Sequence, residues 1–327
     1  MDENYQWGRS YLLTFKNPEN GTIVQIDKLR MSFSAELYVN NKDNTDKGSI
    51  SIYNMSDATV NLLDTRFGTM TLSVGYNGNV KQLITGDVIN VQTSRSGNDK
   101  VTAFVLKPNF TDLTKTKISY SFPEEIYLGS VVKEIANQLN LSFVDSTTGE
   151  WRQIKCQYGY PAHGTGKQVL DDIATTYGIE WKITSDNALV ITDRYGFSGG
   201  EGEKTIVLSP KTGMLEHPFF DTEEISKSIG QSLNKKNEVF IEIKVPKPKK
   251  DGTPLKVKKY RARRYGVRVK ALINPEMRPN SLFKVETDDS TFNDLFRVRS
   301  IKFDGDTRGG DWYMEVFGDA VEGVEFA

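Results

Sequence analysis

The stretch from Leu29 to Val39, LRMSFSAELYV, has an apolar side chain at every second position. The apolar positions are Leu29, Met31, Phe33, Ala35, Leu37 and Val39. Arg30, Ser32, Ser34, Glu36 and Tyr38 stand between them. Strict alternation over a stretch of this length is typical of a β-strand with one face on a core and the other on water or a partner. The stretch therefore predicts a half-buried strand and favours a β fold for this part of the chain.

Shorter runs of the same kind surround it. They predict strands at residues 49–53, 70–76, 80–85, 88–93 and 101–106. Turn-forming residues separate them at 77–79, 86–87 and 96–99. One helix is predicted before Gly68, with Ser56 as its N-cap. Several strands at this spacing favour a β-barrel or sandwich for residues 1–107.

The middle of the chain contains two helical segments that match each other. Residues 131–143 and 169–181 carry apolar residues at the same offsets, on one face of a helix. Asn140 and Gly178 follow where a left-handed C-cap belongs, and a strand-like alternation leaves each helix. Residues 108–205 therefore predict a small α+β domain with two helix–strand units.

Strands return from residue 206 to residue 327. They are predicted at 239–245, 267–271, 281–285, 296–301 and 312–317, and a turn-rich loop at 304–310 joins the last two. The order β, α+β, β has two interpretations. The α+β domain is inserted between two all-β domains, or a single barrel is completed from both ends of the chain.

Composition narrows the class of protein. The chain has 327 residues, with 42 basic and 43 acidic side chains, and this balance argues against generic nucleic-acid binding. Cys156 is the single cysteine, so neither an intrachain disulfide nor a cysteine-based zinc site is possible. The N-terminus shows no basic and then apolar segment, and no apolar run approaches the roughly 20 residues of a membrane span. We expect no signal peptide and no stable membrane insertion.

Motifs for catalysis are incomplete. The two histidines, His163 and His217, stand apart, and His163 falls in a predicted loop before a helix. Gly166-Lys167 resembles a phosphate loop, but Pro161 replaces its first glycine and Gln168 its Ser or Thr. We interpret Thr165 as a helix cap instead. Asp304 and Asp306 match the start of the twelve-residue calcium-loop pattern. Arg308 at its fifth position and Glu315 at its twelfth, on a predicted strand, do not fit that pattern. We therefore predict a non-enzymatic protein with no catalytic residue, no cofactor and no metal ion.

The strongest charge feature is a basic run between residues 244 and 270. It comprises Lys244, Lys247, Lys249, Lys250, Lys256, Lys258, Lys259, Arg261, Arg263, Arg264, Arg268 and Lys270. Asp251-Gly252 favours a long hairpin. Three roles are open: a docking arm for an acidic partner, contact with DNA phosphates, or a solvated hairpin. We predict that residues 244–264 form a partner-contact arm.

Three short stretches carry a family resemblance. Residues 271–280, ALINPEMRPN, are similar to an N-P-x-[LM]-R-P-[GN] segment of phage baseplate hub proteins. Residues 296–301, 305–307 and 312–313 resemble the closing hairpin of these proteins, and residues 209–215, SPKTGML, resemble the entry to their C-terminal domain. The chain thus resembles the late-control, gene-D-like tail hub family of contractile-tailed phages across nearly its whole length.

This resemblance implies a fold and a role. Two tube-type β-barrel domains, residues 1–107 and 206–327, would flank the α+β domain at 108–205. The hub would be a homotrimer whose six barrels form a pseudo-sixfold ring. That ring would join the tail tube protein to the central spike protein and line the channel through which DNA leaves.

Further partners follow from the same resemblance. The tape-measure and baseplate wedge proteins are candidates, and DNA would be bound only in transit. The location would be the tail baseplate of the virion, after assembly in the host cytoplasm. Because the chain stops at Ala327 without a lysozyme or spike domain, we expect those activities in partner chains. The main alternative is a cell-wall-active or carbohydrate-binding tail protein with Trp151, Trp181 and Tyr160 stacking on sugars.

Overall fold

The computed structural model describes residues 8–39, 45–63, 68–147, 149–192, 205–220, 238–241, 260–263, 266–288, 290–320 and 325–326. The first part of the chain is β-rich. Its elements are β1 (Arg9–Lys16), β2 (Ile23–Ile26), β3 (Met31–Tyr38), β4 (Lys47–Tyr53), α1 (Asp57–Leu63), β5 (Thr69–Tyr76), β6 (Asn79–Ser96) and β7 (Asp99–Lys107).

Strand β3 confirms the alternation that predicted it. Met31, Phe33, Ala35 and Leu37 are buried, whereas the residues between them are half-buried. The predicted helix is α1, and the Ser56 Oγ accepts a hydrogen bond from the Thr59 amide at 3.1 Å, as an N-cap does.

The middle of the chain is the α+β section. Its elements are α2 (Phe110–Lys115), β8 (Lys117–Phe122), β9 (Ile126–Tyr127), α3 (Leu128–Gln138), β10 (Ser142–Asp145), a 3-10 helix (Glu150–Gln153), β11 (Lys155–Cys156), β12 (Tyr160–Thr165), α4 (Gly166–Tyr177), β13 (Glu180–Ile183) and β14 (Ala188–Thr192).

The two predicted helix–strand units are α3 with β10 and α4 with β13. Asn140 (φ 54°) and Gly178 (φ 71°) are both left-handed, as predicted for residues that end a helix. The two strands share β14 as a neighbour, β10 in parallel and β13 antiparallel. The helices bury their apolar faces in a core of their own, separate from that of the large sheet.

The last part of the chain returns to strands. Its elements are β15 (Ile206–Leu208), a 3-10 helix (Pro210–Thr212), β16 (Phe219–Phe220), β17 (Glu238–Ile241), β18 (Tyr260–Arg263), β19 (Gly266–Leu272), β20 (Leu282–Val285), a 3-10 helix (Ser290–Phe292), β21 (Leu295–Asp306), β22 (Trp312–Ala320) and β23 (Glu325–Phe326).

Strands from both ends of the chain form one sheet. Its order is β16-β19-β22-β21-β3-β4-β7-β6-β5-β1-β2. In addition, β20 pairs with β21, and β15 pairs with β20. The junction is the antiparallel pair β3–β21, where Leu37 lies opposite Ile301. One hydrophobic core underlies both halves. The predicted fold class, mainly β with a small α+β section, is confirmed, while the boundaries at 107/108 and 205/206 stay a prediction.

Three local predictions were wrong. Gly86-Asp87 is not a turn, because β6 runs through it without a break. A Cβ on Gly86 would lie 2.8 Å from the Lys107 carbonyl carbon, so the glycine permits a close backbone approach rather than a chain reversal. His163 lies on β12 opposite Ser119, not in a loop. Asp304, Gly305 and Asp306 belong to β21, so the final loop is shorter than predicted.

Candidate functional site

The two β halves of the chain repeat one topology. In the first half β3 pairs with β4, β4 with β7, β7 with β6 and β6 with β5, all antiparallel. In the second half β16 pairs with β19, β19 with β22, β22 with β21 and β21 with β20, again antiparallel and in the same chain order. A register shift interrupts β6–β7 between Val88 and Asn90, and another interrupts β21–β22 between Val298 and Ser300. The two halves are therefore structural repeats, and no local sequence pattern indicated which strands correspond.

The repeats make a continuous band of strands with two open ends. Its order is β6-β7-β4-β3-β21-β22-β19-β16. Among the described residues, the second part of β6, from Ile89 to Ser96, pairs only with β7, because pairing with β5 ends at Asp87 and the Val88 amide donates to Gly68 just before β5. At the other end β16 pairs only with β19 in the part of the chain that the structure describes. Open strand edges present unpaired main-chain groups and invite pairing with another chain.

Aromatic rings are exposed at the β16 end. The side chains of Phe219 and Phe220 are 51% and 40% exposed. The ring of Phe220 stacks on Phe292 with centroids 4.6 Å apart, and the Arg268 guanidinium lies 5.9 Å from the centre of the Phe219 ring. Aromatic residues are enriched in protein interfaces, so exposed aromatic rings beside an open strand edge are typical of a surface that binds another chain.

The face of the band that points away from the core carries a row of charges, which we call the charge row. Register places Lys47, Glu36, Lys302, Glu315 and Lys270 opposite one another on β4, β3, β21, β22 and β19. Their signs alternate across five strands and across the junction of the two halves. Opposite charges in facing positions stabilise a sheet, whereas like charges destabilise it.

The surroundings of the charge row are polar. Going away from the connection between β3 and β4, the next pairs on this face are Ser34 opposite Ser49 and Ser32 opposite Ser51. The Asp304 carboxylate, 2.9 Å from Lys302 Nζ, raises the pKa of Lys302. Arg268 lies 3.8 Å from Glu315 at a depression of about 150 Å³. This face is thus polar and has both signs of charge close together.

A buried ion pair joins the band to the α+β section. Lys182 Nζ of β13 lies 2.5 Å from a carboxylate oxygen of Asp46, and both side chains are at most 3% exposed. Asp46 also accepts hydrogen bonds from the amides of Tyr38 and Ser185. Burial raises the pKa of Asp46 and lowers that of Lys182, although each charge favours the other. Sequence reasoning missed this pair because nothing local distinguishes the two residues.

The predicted basic arm is described only at its base. Strands β17 and β18 pair antiparallel, with Glu238 opposite Arg263 and Phe240 opposite Arg261. Arg268 and Lys270 lie on β19. Lys244, Lys247, Lys249, Lys250, Lys256, Lys258, Lys259 and Arg264 lie outside the described residues. The contact role of this arm stays a prediction.

The residues that were considered for catalysis make local hydrogen bonds and ion pairs. His163 Nδ1 lies 3.3 Å from Ser119 Oγ, and His217 Nδ1 lies 3.0 Å from the Pro218 carbonyl oxygen. Thr165 and Gln168 form a capping box at the start of α4, which confirms the predicted helix cap. Lys167 pairs with Asp171 at 2.7 Å.

Asp306 organises the last hairpin. Its carboxylate accepts hydrogen bonds from the Arg308 and Gly309 amides and from Arg30. Among the described residues no group of three or more His, Cys, Asp or Glu side chains could hold a metal ion. No helix in the described part of the chain is long and apolar enough to cross a membrane.

The tryptophans proposed for sugar stacking are packed inside the α+β section. Trp151 and Trp181 are 7% and 4% exposed. Their Nε1 atoms donate to Asp145 and Thr147, and to Asp171, respectively. Tyr160 is half-buried against the same core. The two buried indole rings offer no open face on which a sugar could stack.

No family model matches this chain, and no curated protein matches it by sequence. Solved structures do match. The tail protein from Neisseria meningitidis MC58 has a TM-score of 0.60 at 11% identity, with 96% of this chain and 97% of that chain covered. The 43 kDa tail protein of prophage MuSo2 from Shewanella oneidensis has a TM-score of 0.57 at 12% identity, with 96% and 98% covered.

A third match is the E. coli c3393 protein, a component of the type VI secretion system described as similar to the T4 tail proteins gp27 and gp5. Its TM-score is 0.54 at 9% identity, and the alignment covers 96% of this chain and 78% of that one. Likeness at this level of identity concerns the fold. The chain has the fold of phage tail proteins, which confirms the resemblance found in the sequence.

Proposed function

We propose that this chain is a structural, non-enzymatic tail protein that works as a baseplate hub, with three copies forming a pseudo-sixfold ring. The observation that carries the proposal is the repeated topology with its two open ends. The edge of β21 is covered by β3 within the chain. The equivalent edge in the other repeat, Ile89–Ser96 of β6, is open on the described residues.

The repeat indicates what covers that edge. Since β6 corresponds to β21 and β16 corresponds to β3, β16 of a second copy pairs with β6 as β3 pairs with β21. This contact joins different surfaces of the two copies. Such contacts close into a ring when the rotation that relates one copy to the next is a whole fraction of a full turn. Three copies then contribute six repeats, in agreement with a pseudo-sixfold arrangement.

Register makes the contact specific. When the two register shifts are aligned, Asn90 corresponds to Ser300, and Ser94 therefore corresponds to Asp304. Phe219 corresponds to Ser34, which lies opposite Asp304. In the proposed ring, Phe219 of one copy therefore lies opposite Ser94 of the next copy.

A hub of this kind joins the tail tube protein to the central spike protein and lets DNA pass. The polar face with the charge row supports a role as channel lining, because alternating signs prevent a continuous positive surface that would hold phosphates. We further propose that the tape-measure and wedge proteins are partners of the hub and that the basic arm 244–264 contacts a partner. The hub would be located in the virion baseplate after assembly in the host cytoplasm.

The experiment is a disulfide between copies. We expect the double variant Ser94→Cys/Phe219→Cys to form a covalent trimer on non-reducing electrophoresis after mild oxidation. The wild-type protein should show three times the mass of the 36.9 kDa chain by light scattering. Cys156 is buried and should not interfere.

Controls separate this outcome from random oxidation. Each single variant should stay uncrosslinked, and so should Ser94→Cys/Ile23→Cys, which pairs Ser94 with an exposed residue of another edge. A protein that stays monomeric at high concentration, with no crosslink and no capture of a tail tube protein, would contradict the hub. Hydrolysis of peptidoglycan in a zymogram, or saturable glycan binding, would favour the cell-wall alternative.

A further inference from the structure

A groove of about 740 Å³ opens on the surface of the α+β section, away from the band. Helix α3 forms one wall with Ser130, Lys133 and Asn137. The other wall is β10, with Phe143 and Asp145, together with Arg152 of the adjacent 3-10 helix. The ring of Tyr127, which is 44% exposed, lines one end.

One wall of the groove is an open strand. The small sheet has the order β10-β14-β13, so β10 has one neighbour among the described residues. The Ser142 amide donates to the Asn187 carbonyl in the turn before β14, and the Ser146 amide donates to the Ile191 carbonyl of β14. Main-chain groups alternate in direction along a strand, so those of Phe143 and Asp145 point to the other side. An extended peptide beside β10 could form main-chain hydrogen bonds with these donors and acceptors, because they are spaced as in a β-sheet.

The wall is rigid. The Phe143 ring packs edge-on against Trp151 with centroids 6.3 Å apart, and the Arg152 guanidinium lies 5.8 Å from the Phe143 ring. The Asp145 carboxylate is fully buried, accepting from Trp151 and the Thr147 amide and pairing with Arg152. A strand edge held in this way needs little ordering when a ligand binds.

The accessible charges in the groove are positive. Among the charged residues that line it, Lys133 is exposed and the Arg152 side chain is 45% exposed, whereas Asp145 is inaccessible. Glu134, the neighbour of Lys133, does not line the groove and accepts a hydrogen bond from Gln138. The groove is therefore complementary to an acidic ligand.

We propose that this groove binds an extended, acidic peptide segment of a partner protein, which adds as a strand to the open edge of β10. Strand addition at an exposed edge, with a helix as the second wall, is a recurring mode of peptide recognition. Main-chain hydrogen bonds to Phe143 and Asp145 supply affinity, and Lys133 and Arg152 select acidic side chains. This site is independent of the proposed ring, because it uses neither end of the band.

The test starts from a library of random ten-residue peptides selected on the intact protein. We expect the enriched sequences to carry Asp or Glu at alternate positions. Peptides remade from them should bind at least tenfold more weakly to Lys133→Glu. Lys211→Glu is the matched control, since Lys211 is exposed on a different part of the chain, and it should bind like the wild type.

A second measurement tests the strand addition itself. Amide hydrogen exchange at Phe143 and Asp145 should slow at least tenfold when the peptide is bound, and N-methylation of alternate peptide residues should abolish binding. The proposal is overturned if no enriched peptide depends on Lys133, if the enriched peptides are basic, or if an N-methylated peptide binds as well as its parent. Enrichment of helical peptides that leave the exchange of both amides unchanged would overturn it too.

Discussion

Lys302 of β21 lies directly opposite Glu36 of β3, at the strand pair where the two ends of the chain meet. On its other side Lys302 faces Glu315, and Glu36 faces Lys47. The junction of the two repeats is thus also the centre of the charge row.

Reversing one charge should weaken this junction. Glu36→Lys places a positive charge between Lys302 and Lys47, so each facing pair becomes repulsive. We expect the free energy of unfolding to fall by about 0.5–1 kcal/mol per pair, as measured by urea denaturation at low salt. The second change Lys302→Glu should recover part of the loss, and 1 M salt should reduce the difference. An unchanged midpoint for Glu36→Lys would show that the row contributes nothing to stability.

The buried pair should respond strongly to the loss of one partner. Lys182→Met leaves the Asp46 carboxylate buried without its cation, which costs about 3–5 kcal/mol in other proteins. Asp46→Asn/Lys182→Met removes both charges and should be clearly more stable than Lys182→Met alone. Thermal unfolding of the three proteins decides this, and a double variant as unstable as the single one would contradict the explanation.

The same variant should show a new dependence on pH. Burial already raises the pKa of Asp46 in the wild type, and the loss of Lys182 removes the charge that opposes the rise. A carboxyl whose pKa is raised in the folded state binds more protons folded than unfolded. The contribution of Asp46 to the stability of Lys182→Met should therefore be greatest below its unfolded pKa of about 3.8 and should be lost as pH rises through its raised folded pKa. A pH profile parallel to that of the wild type would rule this out.

Asp306 should behave in the opposite way. Burial by itself would raise its pKa, but hydrogen bonds from Arg30 and from the Arg308 and Gly309 amides outweigh it, and the pKa is lowered. Its contribution to stability is present above the unfolded pKa and is lost as pH falls through the folded one. A carboxyl NMR titration should place the pKa of Asp306 below that of an aspartate in an unfolded chain. Arg30→Ala should raise it, and a normal value in the wild type would contradict the assignment.

Gly318 should tolerate no side chain. A Cβ at this position of β22 would lie 2.6 Å from Cζ of the Phe283 ring and 3.1 Å from Cβ of Phe296, and both rings are fully buried. Gly318→Ala should lower the free energy of unfolding by about 1–3 kcal/mol, as overpacking does. Gly310→Ala is the control, because a Cβ there meets no atom within 4 Å. Equal unfolding midpoints for the two variants would contradict the packing argument.

Local patterns in the sequence determined the elements. The alternation from Met31 to Leu37 is a property of neighbouring residues, and it predicted both the strand and its buried face. The helix caps at Thr165 and Gly178 are likewise read within a few residues. The turn wrongly predicted at Gly86 shows the limit of such local patterns. That glycine is needed because the backbone of Lys107, on another strand, lies too close for a side chain.

Only the tertiary structure decided which strands became neighbours. The pairing of β3 with β21 joins residues from opposite ends of the chain, and no local pattern specifies a partner so distant. The two repeats, the charge row, the Asp46–Lys182 pair and the groove beside β10 all depend on such distant pairings. The sequence by itself determined strands, helices and buried faces, because side-chain period and capping act over a few residues. The tertiary structure decided the band, its open edges and the candidate surfaces, because these depend on which strands share main-chain hydrogen bonds.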